Sequence, residues 1–102
     1  GSLAEAGSRS PVKADPAAGQ LLVSLRIDSE AVVRSNCIWA LGRLMDQLVQ
    51  PRQAEIVEAL VSALLHDGEI SVRDEARTAL EQLEDPLVLE RLQALINDGF
   101  IL

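Results

Sequence analysis

The feature that most constrains this chain is that part of it is written twice. The segment DSEAVVR at 28–34 returns as DGEISVR at 67–73, a spacing of 67 − 28 = 39 residues. At that spacing Asp28, Glu30, Val33 and Arg34 meet Asp67, Glu69, Val72 and Arg73. Ala40, Leu41 and Leu44 likewise meet Ala79, Leu80 and Leu83, Leu21 and Leu25 meet Leu60 and Leu64, and Cys37 meets the similarly small Ala76. A half-unit follows, ALLHDG at 63–68 against ALINDG at 94–99, with a shorter spacing of 94 − 63 = 31 residues. Self-similarity of this period is the mark of stacked supersecondary units, none of which can bury its apolar face alone.

The apolar residues inside each unit recur at helical intervals. Val33, Cys37, Ala40, Leu41, Leu44 and Leu48 fall on one face of a helix, as do Ile56, Leu60, Ala63 and Leu64, and then Val72, Ala76, Ala79, Leu80 and Leu83. Asp15-Pro16 and Asp85-Pro86 each offer a capping acceptor followed by a proline suited to a first helical turn, and Pro51 opens a helix behind the poorer cap Gln50. Gly68 and Gly99 stand where helix C-termini favour a left-handed residue. The pattern predicts five helices, about 16–27, 29–49, 51–66, 70–83 and 86–97, paired antiparallel and stacked as an all-α solenoid of two and a half units. The spare residues of the longer spacing are assigned to the Met45–Gln53 connection. Residues 1–14 read as a disordered leader in which Gly1-Ser2 looks like the remnant of a cleaved tag, and 15–102 as the repeat domain.

Composition narrows function further. Aromatics make up only 2%, so the core is aliphatic, which suits closely spaced helices better than strands. The net charge of −7 leaves no basic footprint for phosphates, so neither nucleic acid nor an anionic membrane surface is an expected partner. No apolar run reaches the roughly 20 residues of a membrane span, and a single cysteine forms no internal disulfide. A cytoplasmic protein is the default expectation.

The segments 28–44 and 67–83 resemble HEAT repeats, and more narrowly the short subtype named after the phycobilisome lyases. That subtype has a turn Asp, then Val-Arg, a pair of small residues and a closing Ala-Leu-Gly. The resemblance runs from Pro16 to the C-terminus and departs from the pattern at Glu81, which replaces the glycine present as Gly42. It implies the solenoid fold, and function only weakly, because the repeat serves many roles. The di-iron hydroxylases among HEAT-like proteins use repeated His-Glu pairs, whereas this chain has the one histidine, His66, followed by Asp67. A bilin lyase or phycobilisome-associated factor, binding a tetrapyrrole or a phycobiliprotein, is the alternative suggested by the subtype alone.

Few residues are candidates for chemistry. Cys37 lies on the core stripe and reads as a small buried hydrophobe. His66 closes a helix, where the dipole favours it. Arg34 and Arg73 share a repeat position and are expected to reach the turn acid or a neighbouring unit's carbonyls. No catalytic residue, metal site or cofactor is predicted. Trp39 is different: its counterpart is Thr78, and it projects away from the Leu41 stripe beside Ser35 and Arg43. Tryptophan is enriched among interface anchors, so Trp39 is read as a binding anchor, against a lid formed by the leader or the Met45–Gln53 connection, or a dimer contact. The expectation is a non-catalytic scaffold or adaptor that holds another protein on the inner face of its second helices through Ser35, Trp39, Arg43, Asp74, Arg77, Thr78 and Glu81. Phe100-Ile-Leu102 is expected to cap the last helix. The apolar first helix, with Leu21, Leu22, Val23, Leu25 and Ile27, points to upstream repeats, a lid, or a homodimer through an uncapped end.

Overall fold

A computed structural model describes the backbone of residues 11–101 and the side chains of residues 14–101. Five helices follow in order: α1 (Pro11–Ile27), α2 (Ala31–Leu44), α3 (Gln50–His66), α4 (Ile70–Gln82) and α5 (Pro86–Asn97), with a 3-10 turn at Met45–Gln47 between α2 and α3. No strand occurs among the described residues. The pairs α1/α2 and α3/α4 pack closely, and the second helices α2 and α4 stack on each other. The core that joins them is aliphatic, with Ile38, Leu41, Ile56, Leu60, Val72 and Leu80 fully buried.

The two duplicated turns are built alike down to single atoms. Asp28 Oδ1 accepts the Glu30 amide at 2.9 Å, and Asp67 Oδ1 accepts the Glu69 amide at 3.0 Å. Each aspartate thereby closes a turn with its own side chain and leaves the following glutamate extended as the helix N-cap. Arg34 Nη1 then donates to the Asp28 carbonyl at 2.9 Å, and Arg73 Nη1 to that of Asp67 at 2.6 Å. The repeated arginines bond the carbonyl of their own turn rather than a neighbouring unit's, and Arg34 also reaches a turn acid, that of the next unit. Because the aspartate makes the turn, Gly68 is not left-handed, contrary to expectation; among the described residues positive φ occurs only at Glu84 (53°) and Gly99 (83°). Ser29, the counterpart of Gly68, fills the same place without needing that freedom.

Other boundaries also move. The first helix begins at Pro11 rather than Pro16, so residues 11–14 of the expected leader are helical, while residues 1–10 lie outside the described residues. Asp15 does not cap it. Its carboxylate is held by Arg52 of α3 at 2.9 and 3.2 Å, and the flanking Ala14 and Ala18 are buried on one face. The Arg52 guanidinium lies against α1 at Gly19, with Nη2 3.6 Å from where a Cβ would stand. The second helix ends at Leu44, not 49, because the Met45 carbonyl is taken by the Leu48 amide at 3.2 Å and by the Gln53 side-chain amide at 2.7 Å. Leu48 is still buried, from extended backbone. At α5 the Asp85 cap forms as read, its carboxylate accepting the Leu87 amide at 2.9 Å.

The C-terminal turn gives a mixed result. Gly99 and Phe100 donate to the carbonyls of Ile96 and Leu95 at 3.1 and 2.9 Å, the paired closure of a left-handed glycine cap. Ile101 packs on the core, but Phe100 does not fold over the last helix and remains 68% exposed. Leu102 lies outside the described side chains.

Candidate functional site

Helices α2 and α4 lie against each other at Gly42, where an added Cβ would stand 3.9 Å from the Ala79 Cβ. Along this contact the two helices bound an open groove of about 400 Å³. From α2 it is lined by Trp39, Gly42, Arg43 and Asp46, and from α4 by Glu75, Thr78, Ala79, Gln82 and Leu83. At 100° per residue, Trp39, Gly42, Arg43 and Asp46 fall on one side of α2, facing away from the Cys37–Leu41 core side. Trp39 is 57% exposed. Its ring carries the Arg43 guanidinium, whose Cζ lies 5.1 Å from the ring centroid, one helical turn along.

Of the seven residues read as the binding face, the fold brings Trp39, Arg43 and Thr78 together in the groove. Ser35 is half-buried one turn before Trp39 and does not line it. Asp74, Arg77 and Glu81 lie on the other side of α4, where Arg77 and Glu81 form an ion pair at 3.6 Å. Asp46, Glu75 and Gln82 line the groove and are not among those seven. Their signal was available in the period: they are the positions of α2 and α4 that flank Gly42 and Ala79 once those two are known to touch.

A second concavity of about 490 Å³ opens between the first helices, with Leu22, Leu25, Ala59 and Ala63 among its lining. His66 lies at its edge as the last residue of α3. Cys37 is buried, and desolvation followed by the charge of Asp28 pushes its thiol above the ordinary range, which keeps it protonated and unreactive. Among the described residues no cluster of His, Cys, Asp and Glu is arranged to hold a metal ion. No helix among them is long and apolar enough to cross a membrane.

No curated protein and no solved structure matches the chain. The family model for HEAT repeats matches residues 16–100, most of its length. That span takes in both Asp–Arg turns, the stacked second helices and α5, and the chain belongs to the HEAT-repeat family.

Proposed function

We propose that this HEAT-repeat chain is a non-catalytic scaffold or adaptor that receives a helix or an extended segment of a partner protein in the groove between α2 and α4. HEAT repeats commonly serve protein–protein interaction, which supports the general role. The observation that carries the particular site is Trp39, the only tryptophan, standing 57% exposed at a concave surface between two helices. An aromatic ring of that size is a costly surface residue unless a partner covers it. The test is quantitative binding of a purified partner to wild type and to Trp39→Ala, with circular dichroism and melting as controls. Affinity that survives the substitution sinks the assignment of the groove.

Self-association through the N-terminal end has its own observation. Val23, Ile27 and Val32 are exposed around the α1–α2 turn, and at the repeat spacing their counterparts are Ser62, His66 and Ser71. The first unit is therefore apolar where the second is polar. Sedimentation of wild type against an Ile27→Ser, Val32→Ser double variant tests this reading, and a monomeric wild type at high concentration removes it. The chromophore alternative has no described residue in its favour.

A further inference from the structure

Resting on the groove reading above, we propose that the segment it receives is basic. One Arg or Lys lies over the Trp39 ring, in the place Arg43 holds in the free protein, and faces Glu75. A second basic residue reaches Asp46. The Gly42–Ala79 approach fixes the register of the walls. Counting along the two helices from that contact sets Trp39, three residues before it, opposite Glu75 and Ala76, and Asp46, four residues after it, opposite Leu83. The groove thus has one carboxylate beside the tryptophan and another seven residues further along, about 10 Å at helical rise. An extended segment covers that distance in three residues, so the matching pattern is two basic residues at i and i+3. Neither Asp46 nor Glu75 is paired with a cation or accepts a hydrogen bond among the described residues. The ring face already accepts a guanidinium, and Arg43 has no carboxylate partner among the described residues to hold it there. Gly42, Ala79 and Leu83 between the charges are small or apolar and suit the methylene stem of a long basic side chain. The rest of the molecule points the same way: Arg34, Arg52, Arg77 and Arg91 are bound to the protein's own acids, so the charge left to a partner from a net −7 is acidic.

The test uses three capped nine-residue peptides that differ only at two positions three apart, carrying Arg/Arg, Gln/Gln or Glu/Glu. Binding to the full chain is followed by calorimetry and by the emission of Trp39. The Arg peptide is expected to bind best, to weaken about fivefold in Glu75→Gln and with added salt, and to tighten in Arg43→Gln, which removes the competing cation. Equal binding of all three peptides, lost in Trp39→Ala by calorimetry, overturns the basic partner and leaves the groove as a docking site. Preference for the Glu peptide, or weaker binding of the Arg peptide in Arg43→Gln, also overturns it. No response to any peptide at about 1 mM, the weak end of specific affinity, overturns the inference and the groove reading together.

Discussion

The guanidinium of Arg34 grips the carboxylate of Asp67 in the next unit through two parallel contacts, Nε to Oδ2 at 2.9 Å and Nη2 to Oδ1 at 3.1 Å. Asp67 also accepts the Glu69 amide, so one carboxylate closes its own turn and ties the first unit to the second. Burial pushes this carboxyl up, but the hydrogen bonds from Arg34 and Glu69 and the charges of Arg34 and Arg73 outweigh it and hold the group below the usual range. A depressed folded value means stability that is present above the unfolded value near 4 and lost as pH falls through the folded one. Asp67→Ala is expected to cost about 2 kcal/mol at neutral pH. The deficit against wild type should shrink in urea melts as the pH is lowered toward about 2. A deficit independent of pH contradicts the assignment.

Trp39 should matter for binding and hardly at all for folding. Its exposure predicts efficient acrylamide quenching in the native state, and Trp39→Ala should change stability by less than about 0.5 kcal/mol. A large drop in melting temperature would mean that the ring is covered by part of the molecule.

Glu84 holds a left-handed backbone, φ 53°, in the turn between α4 and α5. A side chain there is strained relative to glycine, so Glu84→Gly should stabilise the protein by about 1 kcal/mol. Gly99→Ala, at φ 83°, should destabilise by a similar amount. Paired chemical denaturation curves with unchanged slopes would establish both signs.

Cys37 is enclosed and its thiol is held protonated. Alkylation of the native protein should therefore run at least about a thousandfold slower than in denaturant, paced by opening of the core. Fast labelling of the folded chain would place the thiol at the surface.

Much of this molecule is legible in its repeat. The aligned positions supplied the helix pairs, the core leucines and the paired aspartates and arginines, because stacked units must present the same face in the same way. Boundaries were less readable where a side chain competes for a backbone group. Gln53 claims the Met45 carbonyl and Arg52 claims Asp15, and neither choice shows in local sequence. The groove was half visible. Helical period put Trp39 and Arg43 on one face, but only the close pass of Gly42 and Ala79 shows which side of α4 faces them. Without that contact Asp74, Arg77 and Glu81 look as suitable as Glu75 and Gln82.

That same contact gives the stack a direction. On α2 the side turned toward α4 carries Ile38, fully buried, and Gly42, which lies against Ala79. The corresponding side of α4 carries Arg77 and Glu81, paired with each other. A third second-type helix laid there by tandem copying would meet a charged, bulky surface in place of an apolar residue and a gap. Arg77→Ile and Glu81→Gly together would give α4 on that side the same residues that α2 turns toward α4, so two side chains separate the two surfaces.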